Sequence, residues 1–197
     1  MLLRAPSSGP NRHAKVSGYS LLGYVIEAVS GKTYWEFMAE RIFRPIGMNA
    51  TTDRNPRQII PHRASGYEET TNHVRINRDD DLTDVCAAGA IAATVCDLAK
   101  WNAALDGDKL LTAASKAQMW TPGKLNDGSP MTYGFGWRIG TLEGHRSIGH
   151  SGSTSGFSAS VQRYPDDRLV VIVLTNTGEE IATKLAEKVA SFYFGSR

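Results

Sequence analysis

Gly149-His150-Ser151-Gly152-Ser153-Thr154-Ser155-Gly156-Phe157 lies between two segments with the period-2 alternation of β-strands. A polar His-Ser-Gly run inside such a region is costly unless the strand edge faces a cleft, because a buried polar group without a partner loses its hydration. Working outward, the pattern turns to period 2 after Pro122-Gly123. Tyr133–Ile139, His145–Gly149, Phe157–Tyr164 and Leu169–Thr175 read as consecutive strands, with turns at Gly140–Gly144 and Pro165-Asp166-Asp167-Arg168. Val170-Val171-Ile172-Val173-Leu174 is continuously apolar, which predicts a central strand covered on both faces. Glu179–Phe194 closes the chain as an amphipathic helix.

Upstream of the strands the period is helical. Leu22, Val25, Ile26 and Val29 fall at helical spacing, with Gly31 as the stop. Thr33 and Glu36 make a capping-box pattern that opens a second helix through Trp35, Phe37, Met38 and Ile42, ending near Pro45-Ile46-Gly47-Met48. Thr94 with Asp97 caps a helix through Leu98, Trp101 and Leu105, stopped at Gly107, and Thr112 caps a short one ending near Trp120. Residues 1–17 show no period and predict a loose tail, so ordered structure is expected over 18–197. Residues 50–90 read as a long, partly ordered excursion with a short strand near Ala64–Tyr67. The run Asp79-Asp80-Asp81 lacks the central Gly and the position-12 Glu of a calcium loop, so it reads as a solvated turn. Helices, then an antiparallel meander, then a helix give an α+β fold, an antiparallel sheet flanked by helices.

Composition sets the bounds. The 197 residues are enough for one domain with its own core, at 41% hydrophobic and 21% charged. Basic and acidic residues number 22 and 20, a balance that gives no reason to expect nucleic acid or an anionic membrane as partner. No apolar run approaches the ~20 residues of a membrane span. Met1-Leu2-Leu3-Arg4-Ala5-Pro6 is followed by no apolar stretch of the kind a signal peptide carries. Cys86 and Cys96 read as two buried thiols of a reducing compartment, with a disulfide between them as the open alternative. His145 and His150 are five apart, on opposite faces of a continuous strand, and no Cys or carboxylate cluster joins them, so neither a metal nor another cofactor is expected.

Several short segments occur in a telling order: Tyr19-Ser20-Leu21-Leu22-Gly23, Glu40-Arg41-Ile42-Phe43-Arg44-Pro45-Ile46-Gly47-Met48, Ala88-Gly89, Asp97-Leu98-Ala99-Lys100-Trp101, Tyr133-Gly134-Phe135-Gly136-Trp137 and Gly149-His150-Ser151-Gly152. Together they resemble the serine β-lactamase-related hydrolases: class C β-lactamases, low-molecular-weight penicillin-binding proteins, D-aminopeptidases and esterases of the same fold. The resemblance covers roughly residues 18–195.

It implies a site of three elements. A Ser-x-x-Lys at a helix N-terminus supplies the nucleophile, a Tyr-x-Asn or Ser-x-Asn a second base and an orienting amide, and a Lys-Thr-Gly or His-x-Gly strand flanks the site. A serine hydroxyl is a weak nucleophile until a neighbour takes its proton, and the oxyanion needs fixed N–H donors. By resemblance His150 takes the Lys or His position, Ser151 contacts a substrate carboxylate or carbonyl, Gly152 lets substrate approach the backbone, and the Ser153 N–H donates to the oxyanion. The Tyr-x-Asn position falls on Ala14-Lys15-Val16, which has neither phenol nor amide, and Tyr19 matches a packing position. No Ser-x-x-Lys occurs in the chain; the sole Thr-x-x-Lys, Thr121-Pro122-Gly123-Lys124, reads as a turn.

The expectation is therefore a C-terminal portion of the fold, without the N-terminal strands and the nucleophile helix. A truncation, an alternate start and a shifted reading frame are each compatible with the compositional break before Gly18. Exposed apolar surface costs ~25 cal/mol per Å², against a stability of ~5–15 kcal/mol. The isolated chain is thus expected to be unstable, to self-associate or to take an N-terminal segment in trans. Two functional readings follow: part of a hydrolase of small esters, amides or β-lactams, weak or inactive alone, or a binding or regulatory module that kept the cleft. An independent hydrolase is disfavoured because Gly152-Ser153-Thr154-Ser155-Gly156 carries Thr where a Gly-x-Ser-x-Gly elbow needs Ser.

Overall fold

Thr33 accepts a hydrogen bond from the Glu36 amide while the Glu36 carboxylate reaches back to the Thr33 N–H, so the expected capping box is formed. The computed structural model that contains it describes residues 11–55, 57–70, 73–76 and 86–195. The chain groups into two compact units, Met1–Ile59 with Asp81–Ala93 and Ile60–Asp80 with Thr94–Arg197.

In the first unit, helix α1 runs Asn11–Ser30 and stops at Gly31, whose φ of 68° belongs to the left-handed region that glycine enters without cost. The helix starts seven residues before the periodicity does; Asn11–Ser30 holds no proline to interrupt its ladder. Residues 1–10 of the expected tail lie outside the described residues. Helix α2, Tyr34–Met38, widens into a π turn over Ala39–Phe43 and tightens into a 3-10 turn over Arg44–Ile46 before Gly47. Strands β1, Thr52–Asp53, and β4, Ile91–Ala92, pair antiparallel.

In the second unit, β2, Tyr67–Thr70, and β3, His73–Ile76, form a hairpin. The strand expected near Ala64–Tyr67 lies three residues later, and Gly66, just before it, packs against Gly156 and Phe157 with no room for a side chain. Asp79-Asp80-Asp81 lies outside the described residues. Helix α3, Val95–Asp106, is capped by Thr94, and α4, Ala113–Met119, by Thr112. The main sheet is an antiparallel meander of β5, Arg138–Leu142; β6, His145–Thr154; β7, Phe157–Tyr164; and β8, Leu169–Thr175. Helix α5, Ala182–Gly195, lays Ala182, Ala186 and Ala190 on one face of the sheet with Tyr164 and Val171. Leu105 of α3 and Trp137 meet Ile148 on the other, with Trp101 stacked on Trp137.

Three expectations are corrected. β8 is an outer strand among the described residues, since pairing order depends on distant segments that the local run cannot reveal. Tyr133–Trp137 is a loop rather than the start of a strand: Gly134 N–H donates to Trp137 O and Phe135 N–H to Met119 O, which folds the segment on itself. Cys86 and Cys96 are free, the first half-buried and the second exposed at the start of α3, so neither is the buried thiol expected. No helix among the described residues is long and apolar enough to cross a membrane.

Candidate active site

β6 carries the His-Ser-Gly run. β5 pairs with it from His145 to Gly149, whereas β7 pairs with it from Ile148 to Thr154. Among the described residues, Ser151, Gly152 and Ser153 are therefore matched to Ser160, Ala159 and Ser158 of β7 and to no second strand. In an antiparallel strand the backbone groups of alternate residues point to alternate edges, so this part of β6 presents amide donors and acceptors along its β5-side edge. The polar run that looked costly is accommodated because it lies where the sheet narrows.

Alternation also sorts the side chains. Ile148 is fully buried against Leu105 and Trp137, and His150 and Gly152 emerge on that same face. Ser151 and Ser153 leave on the opposite one. Gly149 is buried, and a Cβ there would overlap the Gln162 side-chain amide, which donates to Ser160 Oγ at 3.0 Å. A Cβ on Gly152, by contrast, would meet no atom within 4 Å. Gly149 serves packing; Gly152 leaves clearance beside the strand.

The structure brings His150 to a partner that the sequence reading did not name as a site residue. His150 Nε2 lies 2.9 Å from the Tyr133 hydroxyl, with the rings edge to face at 6.0 Å. The signal was the Tyr-Gly-Phe-Gly-Trp motif, but its separation of 17 residues from His150 hides the contact. The Ser153 hydroxyl donates to Phe157 O at 3.3 Å and so closes on its own hairpin. The tip of that hairpin, at Gly156, packs against Gly66, while Tyr67 N–H donates to Asn176 O and Gly178 N–H to Tyr67 O. A segment from the aperiodic excursion is thereby fixed beside the end of β6.

His145 stands on the α5 face, apart from His150. Its Nδ1 lies 2.9 Å from Asp167 Oδ2, and its ring stacks on Phe194 at 3.7 Å. The two histidines share no ligand position. Among the described residues no group of three His, Cys, Asp or Glu is arranged to hold a metal ion. Ala14-Lys15-Val16 falls within α1, and its side chains lie outside the described residues.

A narrow antiparallel sheet with a helix on one face, a His-x-Gly strand edge and helices on the other face define the β-lactamase/transpeptidase-like fold. The beta-lactamase family profile matches residues 7–193, and the chain belongs to that family of serine hydrolases. It is 33% identical over 177 residues to penicillin-binding protein 4* of Bacillus subtilis (strain 168), covering 83% of this chain and 39% of that protein. It is 29% identical over 161 residues to the D-aminopeptidase of Brucella ovis, covering 80% of this chain and 30% of the relative. The octameric penicillin-binding protein homologue from Pyrococcus abyssi superposes with a TM-score of 0.77 at 26% identity, over 91% of this chain and 42% of that one. The chain thus spans well under half the length of these relatives.

Proposed function

We propose that this chain forms the His-Ser-Gly wall of an acyl-transfer cleft in a serine hydrolase of small amides, esters or β-lactams. The observation that carries the reading is the edge Ser151–Ser153, paired among the described residues on the β7 side alone, beside a His150 in contact with Tyr133. In this reading His150 assists the reacting centre, and Ser151 binds a substrate carboxylate or carbonyl at the strand edge. Gly152 gives clearance, and the Ser153 N–H is one oxyanion donor. The Ser153 hydroxyl, engaged with Phe157 O, is not the nucleophile. A His at this position rather than a Lys favours amide and ester substrates over efficient β-lactam turnover, in line with the D-aminopeptidase relative.

No Ser-x-x-Lys or Tyr-x-Asn lies within the 197 residues, so these residues alone supply no activated serine, and little or no turnover is expected of them. That same observation favours a second reading, a binding module that kept the wall of the cleft. The Pyrococcus abyssi homologue is octameric, and self-association of this chain is part of the proposal.

Three measurements on one preparation test this. Intact mass after incubation with a fluorophosphonate probe is expected to show no stoichiometric adduct; an adduct would mean that the chain carries its own reactive serine. Mixing with the nucleophile-bearing remainder of penicillin-binding protein 4* is expected to restore amide or ester hydrolysis, whereas saturable ligand binding without turnover would favour the module. Native mass reads the assembly, and a strictly monomeric chain would count against it.

A further inference from the structure

We infer that Arg163, Trp120 and Asn102 form a buried site for a single water molecule, which joins α3 and the end of α4 to β7. The inference stands apart from the hydrolase reading.

Three polar atoms carry it. Arg163 Nη1, Trp120 Nε1 and Asn102 Oδ1 are each buried and have no hydrogen-bond partner among the described residues. Arg163 itself is 4% exposed, and its other terminal nitrogen, Nη2, donates to the Asp106 carboxylate. A buried donor or acceptor without a partner forfeits its hydration, so such atoms are met by a ligand where one fits.

The fold gathers the three. The Arg163 guanidinium carbon lies over the Trp120 ring, 5.0 Å from its centre. Asn102 and Asp106 are one turn apart on α3, so the Asn102 amide neighbours the carboxylate that Arg163 holds. The surroundings are apolar, since Trp120 packs with Trp101 and Met119 against Leu105, Trp137 and Ile148.

The chemistry of the set names the occupant. Nη1–H and Nε1–H are both donors and cannot satisfy each other. The indole N–H lies in the plane of its ring, whereas the guanidinium stands over the face. A ligand here accepts from both. It also donates to Asn102 Oδ1, which an anion cannot do. The charge of Arg163 is already met by Asp106, so the site has no need of a negative ion. Water both accepts and donates, and three partners are usual for a buried one.

The place of the site gives it weight. Arg163 is paired with Ile148 in the ladder of β6 and β7, and His150 follows Ile148 on the same face of β6. The water ties that part of the sheet to α3 by hydrogen bonds as well as by packing.

The test is water contact at the Trp120 indole proton, read by NOE and ROE spectra of the full chain labelled with ¹⁵N at tryptophan. Trp120→Phe identifies the resonance. The expected spectrum pairs an indole proton slow to exchange with a cross-peak to water. That cross-peak is expected to carry the sign of long-lived bound water, and to invert in the rotating frame as contact does and proton exchange does not. A slowly exchanging indole proton without the cross-peak overturns the proposal, as does an indole proton that exchanges freely with solvent. A saturable shift of the resonance on adding chloride overturns it too, because the occupant would then be an anion. In Asn102→Leu, which removes the acceptor, the cross-peak is expected to be lost, and its persistence at full strength in the folded variant overturns the three-partner site. Where that variant does not fold, the parent spectrum and the chloride titration decide alone. No substrate is used, so failure here is separate from failure of the hydrolase reading.

Discussion

At the scale of single residues, the motifs divide into those assigned to the proposed cleft and those that shape the loop carrying Tyr133. Gly134 belongs to the second kind. A Cβ there would overlap Met119 O and come within 3.1 Å of Thr121 O, both backbone atoms that cannot swing aside. Gly134→Ala is expected to destabilise the protein by ~1–3 kcal/mol, the ordinary range for overpacking. Thermal denaturation checks it, and an unchanged midpoint would show that the loop has room. The placement of His150, Ser151, Gly152 and Ser153 on one strand is legible in the sequence because they are contiguous and ordered relative to other motifs, and their role belongs to the proposal. The contact of Tyr133 with His150 is not, because hydrogen bonding between residues far apart in sequence leaves no periodic trace. The opposite fates of Gly149 and Gly152 were equally hidden: one abuts Gln162 and the other open space, and both are glycine in the sequence.

At the scale of elements, local signals read well and pairing does not. The Thr33, Thr94 and Thr112 caps each form as their spacing predicts, since the hydroxyl and its target amide lie within one turn. Thr94 accepts from Asp97 N–H at 3.1 Å, and Asp97 is buried and paired with Lys100. Thr94→Ala is expected to cost ~1 kcal/mol of stability. Urea denaturation reads this as a lower midpoint at unchanged slope; a midpoint that stays put would deny the cap any weight. The strand limits moved because alternation cannot tell a strand from a loop folded on itself, as at Tyr133–Trp137. It also fails where polar residues pair across strands. β6 runs on to Thr154 through Ser151↔Ser160 and Ser153↔Ser158, pairs that appear only when β7 lies beside it.

For the whole molecule, the buried phenols couple folding to pH. Burial pushes the hydroxyls of Tyr34 and Tyr164 up to about 12. In the unfolded chain a tyrosine ionises near ~10. The folded state therefore keeps these protons longer, and the stability they contribute is complete below ~10 and lost as pH rises toward 12. The melting temperature is expected to fall across that window, and Tyr34→Phe and Tyr164→Phe to flatten the fall. Ultraviolet titration provides the check. If all seven tyrosines ionised together near ~10 in folded protein, the coupling would not exist.

The position of β8 has a practical side. Leu169-Val170-Val171-Ile172-Val173-Leu174 is apolar from end to end, the strand it makes with Thr175 carries no charge or proline, and it has no strand along its outer edge among the described residues. Such an edge is a template on which any extended chain can add hydrogen bonds. In a crowded expression host, newly made chains are therefore expected to partition into inclusion bodies, which fractionation of the lysate checks. In the tube, concentration, agitation and seeding are expected to be the variables that decide between a clear solution and fibrils.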